Sequence, residues 1–233
     1  MKMQVDDIEF TLHRSNRKTA DIVVERSGDI IVRAPDDIEL ERIKAAISDK
    51  SLWVYRALAE WEDLNASRPK RDFLQGESFL YLGRQYRLKY SDEASEPLML
   101  KNGRWIVSEV LLELSGVPGV QKTFRDFYKA KGEKILSERV EYFASKVGVK
   151  HGQISVRELG YHWASCGKDA GLNFHWKVMM APMTVIDYIV VHELCHLHHA
   201  NHSESFWNEV DKIMPDFQAR KDWLKYNGAK LDL

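Results

Sequence analysis

The segment from His192 to His202 contains side chains that could bind a metal ion and use it for hydrolysis. It reads H-E-L-C-H-L-H-H-A-N-H and holds five of the nine histidines in the chain. His192 and His196 are four residues apart, so on an α-helix their rings project from one face with Cβ atoms about 6 Å apart. Imidazole nitrogen suits zinc, and a catalytic zinc has three protein ligands and one open position. The spacing therefore predicts a Zn²⁺ site on a helix.

Glu193 follows the first of these histidines and is the predicted general base. On a helix it is rotated by about 100° from His192, so it reaches a water on the ion more easily than the ion itself. Zinc lowers the pKa of a bound water towards about 7 and polarises a carbonyl. A carboxylate beside that water can accept its proton and pass it to a leaving nitrogen. The pair therefore predicts a metal-dependent hydrolase.

His202 is the predicted third ligand. It lies six residues after His196, and a continuous helix would carry it about 9 Å farther along the axis. The helix must therefore end and the chain bend back, for which Asn201 is suitable because Asn tolerates left-handed backbone. His199 is the main alternative third ligand, and His198 is expected to be an outer imidazole.

The composition predicts an ordinary globular protein. The chain has 233 residues, 44% of them hydrophobic and 30% charged, with a net charge of −1. This balance gives no overall positive field for nucleic acid, although Arg68, Lys70 and Arg71 form a local basic cluster. The cysteines Cys166 and Cys195 are too few for a disulfide scaffold. Because neither a signal peptide nor an apolar run of membrane-spanning length is visible, we predict a soluble, cytoplasmic protein without a membrane span.

The elements that must position the site follow from hydrophobic periodicity. Strands are predicted near residues 8–14, 21–25, 29–33, 79–82, 86–90, 98–101, 105–107, 154–158 and 172–176. Helices are predicted near 38–64, 120–147, 184–199, 203–214 and 217–226. No internal repeat is visible. The order predicts an α+β fold, with a β-rich N-terminal region (1–115) that includes a long helix and a C-terminal catalytic region (116–233) of helices and a small sheet.

The chain resembles the YgjP-like branch of the SprT-like zinc metallopeptidases. The metal segment continues as S-E-S-F-W after His202, with M-P-D-F at 214–217. Upstream, H-W-A-S-C at 162–166, L-N-F-H-W at 172–176, M-A-P at 180–182 and Y-L-G-R-Q-Y-R-L at 81–88 also resemble the family. His162 and Ala164 stand where the family usually has Arg and Gly, so a substrate contact made by that Arg is expected to differ here.

The resemblance implies a zincin-like catalytic region, a zinc site on the three histidines with Glu193 catalytic, and a peptide or protein substrate. Association with nucleic acid is implied only by analogy with relatives that cleave proteins trapped on DNA. Oligomeric state and cleavage specificity are not implied.

Substrate contacts are predicted from residues placed near the cleft. The strand that contains Asn173 and Phe174 is expected to bind extended peptide along its edge by strand addition. Trp163 is expected beside the cleft, with core packing as the alternative. Tyr161 and Tyr188 are candidate donors to an oxyanion, and a structural role is the alternative for each.

Three functions are compatible with these residues. The first is a zinc metallopeptidase. The second is a zinc hydrolase of another bond, such as a nucleotide phosphoanhydride, although no glycine-rich phosphate loop is visible. The third is a non-catalytic zinc-containing binding module, but structural zinc usually has four protein ligands and would give Glu193 no evident purpose. The first function is therefore the prediction.

Overall fold

The computed structural model describes residues 2–66 and 68–233. By its contacts the chain forms two compact units, Met1–Arg68 and Pro69–Leu233. Residue 115, the predicted boundary, lies inside the second unit, so the sheet formed by residues 78–108 packs with the C-terminal helices. No helix in the described part of the chain is long and apolar enough to cross a membrane. The cytoplasmic address stays a prediction.

The first unit is a four-stranded mixed sheet with two helices. Its strands are β1 (Lys2–Val5), β2 (Ile8–Ser15), β3 (Asp21–Val24) and β4 (Ile30–Pro35), in the order β1-β2-β4-β3. The central pair β2 and β4 is parallel, and both outer pairs are antiparallel. The single helix predicted over 38–64 is two helices, α1 (Leu40–Asp49) and α2 (Ser51–Ala66), because Lys50 leaves helical geometry. Ile43, Ile47 and Val54 join the buried residues of this sheet.

The second unit begins with a sheet of the same topology. Its strands are β5 (Ser78–Tyr81), β6 (Arg84–Ser91), β7 (Leu98–Lys101) and β8 (Arg104–Ser108), in the order β5-β6-β8-β7. Again the central pair is parallel and the outer pairs are antiparallel. The chain therefore contains a structural repeat that the sequence does not show, because topology depends on strand order and turn positions rather than on residue identity.

A long helix joins this sheet to the catalytic elements. Helix α3 (Glu109–Val147) is interrupted at Gly116, whose φ is 61° and ψ is −169°, and Pro118 follows. Beyond this kink the helix matches the predicted one, and its side chains Phe124, Tyr128 and Val140 are fully buried. Helix α3 contacts both β8 and the helix that carries His192 and Glu193.

The remaining elements surround the histidines. They are β9 (Ile154–Arg157), β10 (Ala164–Cys166), β11 (Leu172–His175), a 3-10 helix (Trp176–Met180), α4 (Met183–Cys195), α5 (Glu204–Ile213), α6 (Phe217–Asn227) and a second 3-10 helix (Gly228–Lys230). The third sheet has the order β10-β11-β9. Among the described residues, six α-helices and three small mixed sheets confirm the predicted α+β class.

Candidate metal centre

Three histidines converge at the end of α4. His192 lies in the last turn of this helix, His196 is its C-terminal cap, and His202 returns from the following turn. One ligand atom from each ring lies within 4.8 Å of the others. The Nε2 atoms of His192 and His202 are 2.9 Å apart. The side chains predicted as ligands therefore surround one point, and the described residues contain no other such group.

The chain reaches this arrangement by ending α4 earlier than predicted. The helix stops at Cys195 rather than near residue 199, and the amides of His198 and His199 both donate to the carbonyl of Cys195. Asn201 does not have a positive φ, so the left-handed bend predicted there is wrong. Tight turn hydrogen bonds at the helix end reverse the chain instead.

The ring of His196 is oriented by the main chain. Its Nδ1 lies 3.0 Å from the carbonyl oxygen of His199. A carbonyl can only accept a hydrogen bond, so Nδ1 carries the proton and the lone pair of Nε2 is free for a metal. The side chain of His199 instead lies with Nε2 2.7 Å from Oε2 of Glu209. His199, the alternative third ligand, is therefore not part of the converging group.

Aromatic side chains from α5 support the three rings. Phe206 is fully buried, and its ring centroid lies 4.9, 4.6 and 4.8 Å from those of His192, His196 and His202. Trp207 stacks on His202 with centroids 5.6 Å apart. The S-E-S-F-W segment therefore packs against the three histidine rings and supports their arrangement. Its resemblance to the family was visible in the sequence, but its packing role was not.

Burial sets the protonation of the site. It lowers the pKa of His192 to about 3, with further lowering by the neighbouring His196 and His202. Burial is also the main cause of the lowered pKa of His202. Both rings are therefore neutral at pH 7, which is the form that binds a metal. Burial raises the pKa of Glu193 to about 8, and a nearby divalent cation would lower it again by favouring the carboxylate.

A cavity of about 260 Å³ opens beside Glu193 and His192. It is lined by Tyr161, His162, Trp163, Ala164, Tyr188, Ile189, His192, Glu193 and Leu224. Trp163 thus lies beside the cleft as predicted by position, and both candidate oxyanion donors, Tyr161 and Tyr188, line the same space. Their roles stay predictions.

Comparison with known proteins places the chain in a family. Residues 18–227 match the family described as YgjP-like, metallopeptidase domain. The chain belongs to the YgjP-like metallopeptidase family. This confirms the resemblance read from the sequence. The crystal structure of the metallopeptidase zymogen of Pyrococcus abyssi abylysin is 23% identical over 42% of this chain and 99% of that chain, with a TM-score of 0.38. No curated protein matches.

The strand predicted to bind substrate in this YgjP-like chain is not an edge strand. β11 lies between β10 and β9, so both of its edges are paired and strand addition there is ruled out. Phe174 is fully buried, and the side-chain amide of Asn173 is hydrogen-bonded to Ser155 and Ser165. The prediction that Asn173 and Phe174 present an open edge is therefore wrong.

The open edge next to the cavity belongs to β10. The amide of His175 donates to the carbonyl of Trp163, and Gly167 donates to Gly171, so these alternate positions face β11. By the alternation of antiparallel pairs, the main-chain groups of Ala164 and Cys166 face outward. This strand has three residues, too few for a visible periodicity, and only the family motif H-W-A-S-C pointed to it.

Two YgjP-like motifs meet where the second sheet approaches α4. The amides of Leu82 and Gly83 in the β5–β6 turn donate to the carbonyls of Met179 and Met180, at 2.9 and 3.1 Å. Gly83 has a φ of +78°, and a Cβ on it would lie 2.9 Å from Cα of Pro182. The Y-L-G-R turn therefore fixes the M-A-P segment that precedes α4, a long-range contact that periodicity could not predict.

Proposed function

We propose that this YgjP-like protein hydrolyses peptide bonds with a Zn²⁺ ion held by His192, His196 and His202 and with Glu193 as general base. The observation that carries the proposal is the convergence of the three imidazoles beside a buried carboxyl group. No fourth His, Cys, Asp or Glu among the described residues joins them. Three protein ligands leave a position open, which favours a catalytic metal over a structural one.

The residues of the chain divide the chemistry between them. A bound zinc would supply a water of lowered pKa and polarise the substrate carbonyl. Glu193 accepts the proton of the attacking water on its carboxylate and delivers it to the amine nitrogen that leaves. Its side chain is only 6% exposed, so bulk water does not compete for that proton. His196 keeps its Nε2 available through the bond from Nδ1 to the His199 carbonyl.

Peptide binding is proposed at the outer edge of β10. The main-chain groups of Ala164 and Cys166 are free to pair with an extended segment, and Ala164 also lines the cavity beside Glu193. A peptide on this edge would place a side chain against Trp163 and Tyr161. Ala164→Pro removes one outward N–H without breaking the bonds to β11, because proline is tolerated on a free edge.

Peptide turnover by the Ala164→Pro variant tests whether the substrate pairs with the outer edge of β10. We expect KM to rise about tenfold, the cost of one hydrogen bond, with zinc content unchanged. An unchanged KM would remove β10 from substrate binding while leaving the metal site as proposed.

The cavity lining favours peptide over nucleotide. None of its residues is Lys or Arg, and its His162 replaces the usual family Arg. Phosphoanhydride hydrolysis generally uses several cations around the phosphates. Arg71, from the predicted basic cluster, is bonded to Glu77 and to the carbonyl of Ser78 and so has a structural role. Nucleic-acid association stays a prediction by analogy.

The decisive experiment compares the wild-type protein with Glu193→Gln. Zinc per chain is measured first, and both proteins are then incubated with a peptide library and with a nucleotide panel. We expect one zinc in both proteins and peptide products from the wild type, with kcat reduced at least 10²-fold in the variant because the proton acceptor is lost. Nucleotide products, or zinc without any turnover, would contradict the proposal.

A further inference from the structure

Glu209 of α5 lies beneath the turn that follows the metal-binding helix. Its side chain is 19% exposed, with Oε1 2.8 Å from Nδ1 of His198 and Oε2 2.7 Å from Nε2 of His199. A carboxylate only accepts hydrogen bonds, so Nδ1 of His198 donates to Oε1. The ring of His199 packs closely against Oε2 without hydrogen-bond geometry. One side chain of α5 therefore contacts two consecutive residues of the turn.

The same turn carries the group that orients a metal ligand. The carbonyl oxygen of His199 accepts from Nδ1 of His196 at 3.0 Å. His196 is the C-terminal cap of α4, and its amide is 3.3 Å from the carbonyl of His192, a long bond for a helix. At this frayed position the helix alone does not fix the ring, so the His199 carbonyl is its anchor. That carbonyl is in turn held by the turn hydrogen bonds to Cys195 and by Glu209.

We propose that Glu209 is a positioning residue for the metal ligand His196, acting through the turn at His198 and His199. The proposal rests on the metal site proposed above. Groups that orient metal-bound histidines typically change metal affinity by about 10- to 100-fold. Glu209 touches neither the ion nor the substrate, and its effect on the metal passes through a main-chain carbonyl.

A second metal site on the same side chains fits the geometry less well. The rings of His198 and His199 have centroids 6.2 Å apart and contact opposite oxygens of one carboxylate. Within the described residues, ligand atoms converge only at His192, His196 and His202. The two outer rings are therefore arranged to hold Glu209 rather than to share a cation.

Metal affinity, measured by competition with a chelator of known affinity, tests the proposal. Glu209→Gln keeps the shape but turns an NH₂ group towards one ring N–H, and we expect zinc to bind about 10- to 100-fold more weakly. His199→Ala keeps the carbonyl and all of α5 but removes one link, and it should weaken binding in the same direction. Because both act through one linkage, the double variant should lose less than the sum of the two effects.

Asp211→Asn is the matched control. Asp211 is exposed on the same helix, so this variant makes the same change in charge without touching the turn. Its zinc affinity should stay within about twofold of the wild-type value, because exposed charges are well screened. Melting of each metal-free variant shows whether the fold persists, and His199→Ala serves if Glu209→Gln does not fold.

The outcomes separate the two proposals. A wild-type protein that binds no zinc overturns the metal site and the positioning role together. If the wild type binds zinc and both Glu209→Gln and His199→Ala bind it equally well, only the positioning role is overturned. Two zinc ions per wild-type chain, with one lost in Glu209→Gln, would make Glu209 a ligand and would also overturn it.

Discussion

The two four-stranded sheets of this chain share strand order and pairing but use their first turns differently. In the first sheet, Asp6 and Asp7 form the β1–β2 turn, and Ser48 and Tyr55 bond to their carboxylates. In the second sheet, Leu82 and Gly83 form the corresponding turn and bond through their amides to the segment that starts α4. Aspartate needs polar partners or water, whereas glycine allows another main chain to approach.

The two sheets also differ in the residues that pack beside them. The first sheet and its helices pack mostly aliphatic residues, among them Val32 and Ile47, around the ring of Phe10 in a small core. The second packs aromatic rings whose polar atoms are also bonded, since Trp105 donates to the carbonyl of Phe79 and Tyr128 donates to that of Leu80. The bond from Tyr128 joins α3 to the second sheet, as the bond from Trp61 to the carbonyl of Val24 joins α2 to the first. The same topology thus has its own small core in one case and packs with the helices that carry the three histidines in the other.

Gly83→Ala should have the largest effect on stability, because it disturbs the turn that distinguishes the second sheet from the first. The new Cβ would meet Pro182 at 2.9 Å while the backbone keeps a φ of +78°. Overpacking and left-handed strain together should destabilise the second unit by about 2–4 kcal/mol. Hydrogen exchange of amides in β8 and α3 measures this loss, and zinc affinity should fall with it.

Two other glycines provide the controls for that substitution. Gly103 has a φ of +70° with nothing within 4 Å, and Gly28 of the first unit has a φ of +88° with only a Leu58 methyl at 3.9 Å. Alanine at either position should cost about 1 kcal/mol, from backbone strain alone. Equal losses of stability for the Gly83 and Gly103 variants would mean that the close contact with Pro182 contributes nothing to the destabilisation.

Lowering the pH should produce a smaller difference in stability between the two units. After chelation, His192 has a folded-state pKa of about 3 against 6.5 when unfolded, so only the unfolded chain gains a proton between these values. Glu193, whose pKa is raised, acts in the opposite direction, so the effect is isolated in the Glu193→Gln variant. There the contribution of His192 is complete above about pH 6.5 and is lost as the pH drops, by about 2 kcal/mol at pH 5. His175, whose pKa burial also lowers, acts in the same direction.

The first unit is the internal reference for this effect. Its only histidine, His13, is exposed. Hydrogen exchange of the metal-free Glu193→Gln variant at pH 7 and pH 5, corrected for intrinsic rates, should therefore show a larger loss of protection in α3 than in β2 and β4. Equal losses in both units would show that the buried histidines do not control the pH response.

The sequence predicted the convergence of the three histidines well because local geometry determines it. Four-residue spacing on a helix places His192 and His196 together, and the distance to His202 requires a bend. Tertiary contacts were harder to predict from the sequence. Neither the central position of β11 nor the contact between Gly83 and Pro182 can be read from periodicity, since each depends on elements far apart in the chain. The helix break at Lys50 was missed because no Gly or Pro marks it.

If substrate pairs with β10 as proposed, the shortness of this strand limits how much of the substrate its main chain can bind. Only Ala164 and Cys166 turn their groups outward, and alternate residues of a strand are about 7 Å apart. Pairing over that distance involves two or three substrate residues. These residues must be extended and free of other secondary structure. Local unfolding of the target, more than a long recognition sequence, would then decide what enters the cleft.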